Sequence, residues 1–490
     1  METMSGTGTA IPDSSVRKPD LWIFLNTLIL GGLGLMILLS ASALQANLDL
    51  DDPYYYARRQ AVFSIAGIIG FFVIARFSPK MLKKLALPSM LVALALLLLV
   101  FVPGVGRSVA SSRDSFHRWI DLGFFSFQPS EFAKVALVLY VSAMLLDRKG
   151  QFEQFSLKEL LRSLILVGSV LAAILLEPQY GTTLTLIAVI SILIYVAGFP
   201  VLRLVLLGLS LLPILAMLLV MWEYRFERFQ VWLNPYEYRY SGGYQLVTAF
   251  RAFGEGGWFG EELASGFGHR YLTFGHTDFV LALFSEDFGF AGVVVLIALY
   301  LCLLWRSILL LRKQKDEYLF LLGSSALTIL FLQVVVNLSV VTGLIPTTGI
   351  SLPFVSYGGS SLIVTYALCG LIWQATSLPE SSLPARKSLG SRFFKSRSEP
   401  AASSAGPASA SVEAGAAPVG SAIAGTGAGP SSADAGFPGA FAAGGSREGA
   451  GSGRKTRSGF RASSESGGSP IRRPQIGGEE KPLPAGRAKL

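Results

Sequence analysis

The chain has 490 residues, 51% of them hydrophobic and 15% charged, with a mean hydropathy of +0.52. Soluble proteins carry about 25% charged residues, so an ordinary soluble enzyme is excluded and an all-α polytopic membrane protein is indicated. The net charge of +9 does not point to nucleic acid, because Leu378–Leu490 holds 15 Lys/Arg against 8 Asp/Glu and leaves the body at only +2. The two cysteines, Cys302 and Cys369, sit in apolar runs, which excludes a disulfide framework, and three histidines leave little for a histidine metal centre.

In chain order, residues 1–20 are a short tail with Arg17 and Lys18, and 21–377 form the membrane domain. Apolar runs long enough to span a bilayer predict ten helices at about 21–45, 61–76, 85–103, 132–147, 160–176, 182–199, 201–222, 285–311, 319–343 and 360–377. Positive charge clusters in alternate connections, at Lys80–Lys84, Arg148–Arg162, Arg203 and Arg306–Lys315, and at both ends. That bias places both termini in the cytoplasm of a multi-pass protein. Residues 378–490 are rich in Ala, Gly, Ser and Pro, so this basic tail is expected to be disordered. Its charge, with the Arg392–Lys395 basic-aromatic patch, suits a membrane lipid surface.

Three outer connections carry unusual residues. The first, Pro103–Ser130, contains Arg118-Trp119 and leads through Gln128-Pro129-Ser130 into Glu131 and Lys134. Three residues apart on a helix, Glu131 and Lys134 share a face. They read equally as polar cavity groups or as a structural ion pair, with Gln128 or Ser130 capping the helix. The second, the large loop at about 223–284, exceeds normal connection length. It holds Arg225, Arg228, Gly243-Tyr244-Gln245, Gly256-Gly257-Trp258-Phe259-Gly260 and His276-Thr277-Asp278. A carboxylate bordering an apolar run is a usable base when desolvated, but Thr277 and Asp278 are also good N-caps, and composition slightly favours the cap.

The third, Thr342–Ser361, is uncharged and broken by prolines and glycines. It reads as a re-entrant segment, tolerable only where it lines a cavity or is buried in protein. Gly358-Gly359 before a helix either offers amides to phosphate or allows close packing.

Gln128-Pro129-Ser130-Glu131…Lys134, Gly243-Tyr244-Gln245, His276-Thr277-Asp278-Phe279 and above all Pro346–Ser361 resemble the SEDS family. These are the bacterial shape, elongation, division and sporulation glycosyltransferases typified by FtsW and RodA. The resemblance implies a ten-span fold related to the GT-C glycosyltransferases. It also implies polymerisation of lipid II, the undecaprenyl-diphosphate-linked disaccharide peptide, on the outer face of the inner (cytoplasmic) membrane. Implied partners are a class B penicillin-binding transpeptidase and other divisome proteins. By matching position, Asp278 is the implied catalytic residue. Arg118, Gln128, Ser130, Glu131, Lys134, His276, Thr277, Ser356, Gly358 and Gly359 are the implied substrate-binding set.

The chain departs from the family pattern at Ser115-Phe116-His117, where Asn-Gly-Ala is usual, and at Leu272–Gly275, where Leu-Pro-Glu-Ala is common. It departs again at Glu177-Pro178-Gln179-Tyr180-Gly181-Thr182, where Gln-Pro-Asp-Leu-Gly-Thr is usual, so an aspartate is lost. Pro346-Thr347-Thr348-Gly349 is closer to the division-type pattern, which implies septal wall synthesis, with an elongation-type polymerase or a lipid II flippase as alternatives. Spans 85–103, 160–176 and 182–199 hold almost no ionisable residue, which favours outer-face chemistry over transport. Diphosphate departure needs positive charge or a divalent cation such as Mg or Mn. Arg118 and Lys134 are the candidate cations, and no organic cofactor is expected.

Overall fold

A computed structural model describes residues 17–108, 117–121, 123, 125–147, 164–206, 208–210, 223–273 and 275–379. The expected disordered tail, the Arg392–Lys395 patch and the Arg148–Arg162 connection lie outside these residues. Helix α1 (Leu21–Leu50) starts where the Asp20 carboxylate accepts from the Ile23 amide at 3.2 Å and stops at Asp51, in the left-handed conformation (φ 54°). Helices α2 (Tyr55–Ala75) and α3 (Pro79–Leu99) follow, the latter capped by Ser78 with proline at its first position. Three antiparallel strands, β2 (Gly106–Ser108), β3 (His117–Asp121) and β4 (Ser126–Phe127), lead into α4 (Pro129–Leu146).

The remaining helices are α5 (Ile165–Leu176), α6 (Tyr180–Val196), α7 (Glu223–Leu233), α8 (Tyr244–Gly256), α9 (Phe267–Tyr271), α10 (Val280–Leu311), α11 (Glu317–Val341) and α12 (Gly359–Ala375). An apolar helix at Val201–Ser210 precedes α7. Strand β1 (Arg17–Lys18) pairs antiparallel with β5 (Leu378–Pro379), so the two ends of the domain lie side by side. Trp373 Nε1 adds a 2.8 Å bond to the Asp20 carbonyl. The opposite side of the helices is the distal face.

Six of these helices are long and apolar enough to cross a membrane: α1–α4, α10 and α11. The other four expected spans fall on shorter apolar helices, α5, α6, Val201–Ser210 and α12. Two boundaries moved for a physical reason. Helix α2 begins six residues before the apolar run, because Arg58 stays at its mouth in an ion pair with Asp52. Helix α10 begins at Val280 and is broken at Gly289 (φ 64°, ψ −172°), a conformation open to glycine. The expected long loop at 223–284 therefore contains three helices and the opening turns of a fourth. The small sheets are an addition to the all-α expectation.

Helix α12 is central, packed against α2 and α11, with α1 alongside. Small residues permit this: a Cβ at Gly67 would come within 2.4 Å of the Tyr366 ring, and one at Gly31 within 2.0 Å of its hydroxyl. At Gly34 the obstacle is main chain, since a Cβ there would stand 2.3 Å from the Phe354 carbonyl oxygen. At Gly32, two residues before Gly34, nothing lies within 4 Å. Replacing a helical glycine by alanine gains about 1 kcal/mol in propensity, whereas overpacking costs about 1–3 kcal/mol. Gly34→Ala should thus lower the thermal midpoint in detergent while Gly32→Ala leaves it unchanged or raises it, a comparison that one melting experiment on the two variants decides.

Candidate active site

Asp278 lies two residues before α10, and its main-chain carbonyl accepts from Asn337 Nδ2 at 2.9 Å. The same amide nitrogen donates to the Ile350 carbonyl at 2.8 Å. Asn337 is 20 residues beyond the start of α11, about 30 Å along the axis at 1.5 Å per residue, so Asp278 belongs to the distal face. Its carboxylate rests against Gly349 (φ 71°), where a Cβ would be 3.5 Å from Oδ2. Arg228, from α7, donates to the Thr347 carbonyl at 2.9 Å. Burial pushes the Asp278 carboxyl above its ordinary pKa, and the Arg228 charge pulls it back in part.

The capping reading of Thr277 and Asp278 is not what the structure has. Phe279 occupies the N-cap of α10, and no side chain caps that end. The Thr277 carbonyl instead accepts from Ser356 Oγ at 2.6 Å, while that oxygen accepts from the Leu352 amide at 2.8 Å. Ser356 thereby pins the irregular segment 342–358 to the Asp278 turn. His276 does the same through its carbonyl, which accepts from the Tyr357 amide at 3.0 Å, and its ring lies 4.7 Å from that of Tyr56. Burial pushes the His276 imidazole down to about 4, so it is neutral at pH 7 and brings no positive charge.

A second network lies under strand β3. Arg118 donates to the carbonyls of Glu177 (3.0 Å) and Pro178 (3.2 Å). Gln179 is the hub: its Oε1 accepts from Ser130 Oγ at 2.9 Å and Gln128 Nε2 at 3.2 Å, and its Nε2 donates to Glu177 Oε2 at 2.5 Å. Gln128 and Ser130 therefore serve Gln179 and not the amides of α4, whose N-cap has no side-chain bond. Glu131 and Lys134 form a buried pair at 2.7 Å, so the Lys134 charge is already offset within the protein. The carboxylate expected two residues later in the family pattern stands at Glu177, bonded to the amide at 179. The acid–amide pair is kept with its members exchanged.

Both networks meet on segment 342–361. A Cβ at Gly181 would lie 2.5 Å from Thr348 Cβ, and Ser351 Oγ is 3.0 Å from Ser361 Oγ. Ser360 Oγ accepts from the Gln128 amide at 3.2 Å. Gly358 is the N-cap of α12, and Gly359 is required by packing, since a Cβ there would be 2.6 Å from the Phe63 ring. Sequence reasoning missed Asn337 and the hub role of Gln179. For Asn337 the signal was present: a lone amide in the apolar run Val334–Val341, one turn beyond Gln333, has to serve a partner in the protein interior.

The described residues do not fit a protein-held divalent cation. Among the described residues no three or more His, Cys, Asp or Glu side chains gather as a metal site. Glu131 Oε2 and Glu177 Oε1 are buried without a hydrogen-bond partner, but each carboxylate already serves an ammonium or an amide.

Burial also pushes the Glu177 carboxyl up, to about 8, against the opposing effects of the Gln179 hydrogen bond and the Arg118 charge. At neutral pH it is mostly protonated. A raised folded pKa means stability that is fully present below about 4.5 and is lost as pH rises toward 8. Glu177→Gln should flatten this window, with the variant gaining on the parent most above pH 8, as read from melting midpoints between pH 5 and 9.

Comparison with known proteins places the chain among relatives. The FtsW/RodA/SpoVE family model, described as cell cycle protein, matches residues 20–379. A probable peptidoglycan glycosyltransferase FtsW from Geobacter sp. (strain M18) is 36% identical over 358 residues, covering 73% of this chain and 96% of the relative. Stage V sporulation protein E of Bacillus subtilis is 35% identical over 356 residues, 72% of this chain and 96% of the relative. Among solved structures, a chain of a peptidoglycan synthase complex that coordinates polymerisation and crosslinking superposes with a TM-score of 0.60 at 31% identity. That match covers 73% of this chain and 97% of the other. The rod shape determining protein RodA of Thermus thermophilus gives 0.53 at 31% identity, over 73% and 96%. With the match running through the whole helical body and both polar networks, the chain belongs to the FtsW/RodA/SpoVE family.

Proposed function

We propose that this protein is a peptidoglycan glycosyltransferase of the division type, polymerising lipid II at the outer face of the cytoplasmic membrane, with both termini cytoplasmic and ten spans. The observation that carries the site assignment is Asp278. It is a carboxylate with no capping duty, held by its own backbone against Gly349 and partly desolvated. Its position about 30 Å from the start of α11 matches the thickness of a hydrocarbon core, the depth at which the diphosphate of a polyprenyl-linked sugar lies.

In the reaction, the acceptor sugar hydroxyl loses its proton to Asp278 as its oxygen bonds to the donor's anomeric carbon. The bond from that carbon to the diphosphate breaks, and polyprenyl diphosphate departs. Arg118 and Arg228 supply the positive charge that departure requires, since Lys134 is neutralised by Glu131 and His276 is uncharged. No step passes through a metal ion. The nearby complex structure supports a transpeptidase partner of the class B penicillin-binding type, and relatives named FtsW support the divisome as setting over an elongation-type role or lipid II transport.

Asp278→Asn removes the proton acceptor alone. General-base catalysis is worth about 10²–10⁴ in rate, so lipid II polymerisation by the purified variant with its transpeptidase should fall by that factor. Its melting midpoint should be equal to or above that of the parent, because a desolvated charge is lost. Wild-type polymerisation by the Asn variant would sink the assignment.

The pH profile gives a second test. The rate should climb as pH rises through the elevated Asp278 pKa. Since Arg228 lowers that pKa, Arg228→Gln should move the rising limb to higher pH. A limb that stays in place or moves down, measured from initial polymerisation rates, would separate Arg228 from the base.

A further inference from the structure

The Gly256-Gly257-Trp258-Phe259-Gly260 turn has no part in either polar network, yet the chain holds it firmly. The break at Gly289 leaves the first amides of the following helical stretch without intrahelical acceptors. The carbonyls of Gly257 and Trp258 take two of them, from Phe290 at 2.9 Å and Ala291 at 3.0 Å. Three glycines allow the contact. A Cβ at Gly256 would stand 2.0 Å from the Ser285 carbonyl, one at Gly260 2.2 Å from that of Asp287, and one at Gly289 2.4 Å from the Gly260 nitrogen. The turn therefore lies flush on the kink of α10.

That kink marks a depth. From Phe290 to Leu311 there are 22 residues, about 33 Å of helix, close to the roughly 30 Å of a hydrocarbon core. Helix α1 agrees: Ser40, which bonds the Asp287 carboxylate at 2.5 Å, is 19 residues or about 29 Å past Leu21. The face of α10 carrying Phe290, Val294, Leu301 and Trp305 is exposed and apolar along this length, as a lipid-facing stripe must be. At its near end Trp305 and, on α1, Trp22 are 67% and 68% exposed. At its distal end Trp258 packs edge-on against Phe290 at 5.4 Å and is 71% exposed, with Phe259 at 85%. Tryptophans at both limits of an apolar stripe are the pattern of interfacial aromatic belts.

We infer that the Gly257–Gly260 turn is a lipid anchor: Trp258 and Phe259 insert at the headgroup–acyl boundary of the distal leaflet and fix the height of helices α8–α9 above the bilayer. The ligand is the lipid surface itself. The neighbouring Glu261 and Glu262 are exposed, so attachment rests on aromatic insertion and not on attraction to anionic headgroups. This goes beyond the glycosyltransferase reading and does not depend on it.

The test uses the full chain in phosphatidylcholine vesicles. With exposed Cys302 replaced by serine and Cys369 left buried, a nitroxide is placed through Phe259→Cys. Leu301→Cys serves as the immersed reference and Tyr240→Cys, at the exposed Tyr240 of the same connection, as the aqueous one. Collisions with oxygen relative to those with a water-soluble nickel chelate should be severalfold more frequent at 259 than at 240, and below those at 301. Independently, lipids brominated near the headgroup should quench less of the fluorescence in Trp258→Phe than in the parent, the remaining quenching coming from Trp22 and Trp305. A ratio at 259 equal to that at 240 overturns the inference. So does protection that arises only when a second protein is added, which would make the turn a protein-docking face.

Discussion

Peptide groups placed at membrane depth outside a helix must be satisfied by the protein itself, because lipid offers no partners. Residues 342–358 impose that demand here. Asn337 answers at Ile350, Arg228 at Thr347, Trp232 at Gly343, Gln60 at Ser356, and Tyr300 at Pro353. Ser356 returns two bonds within and beyond the segment. These are side chains from α2, α7, α10 and α11, so a single irregular stretch sets the relative positions of four helices and of the turn that carries Asp278.

The same demand orders the charges. Buried groups are either neutral or paired: His276 and Glu177 are shifted toward their uncharged forms, and Glu131 holds Lys134. His269 donates or accepts at 2.8 Å with Asp287, whose other oxygen meets Ser40. Arg118 and Arg228 bind main-chain carbonyls through a planar fork that stays charged at all ordinary pH. A polymerase handling a diphosphate needs that division, with compensated charge inside and cationic charge where the leaving group departs.

The helical body was legible because apolar runs are long and interrupted by charge. The Glu131–Lys134 pair was legible from its spacing of three. The kink at Gly289 was not, since one glycine between two phenylalanines gives no periodicity signal. The start of α2 was hidden by Arg58 and Arg59, which lower local hydropathy without ending a helix. Composition favoured a cap at Asp278 because Asp and Thr are good caps in general, whereas the decisive fact, where the Thr277 and Asp278 carbonyls go, is a long-range one. Glu177-Pro178-Gln179 looked like the loss of a carboxylate. Only the fold reveals that acid and amide face each other, so that exchanging them preserves the pair.

The short pairing of β1 with β5 has a mechanical consequence. Arg17 faces Pro379 and Lys18 faces Leu378, so the chain leaves this pairing at residues 16 and 380 from the same end. A force drawing those two points apart opens the ladder one rung at a time, the weakest loading geometry for a two-stranded ribbon. The next tie is the Trp373 bond to the Asp20 carbonyl, at the foot of α1 and α12. Tension between the two ends is thus absorbed first by this clasp, before any of it reaches the helices that hold the Asp278 turn.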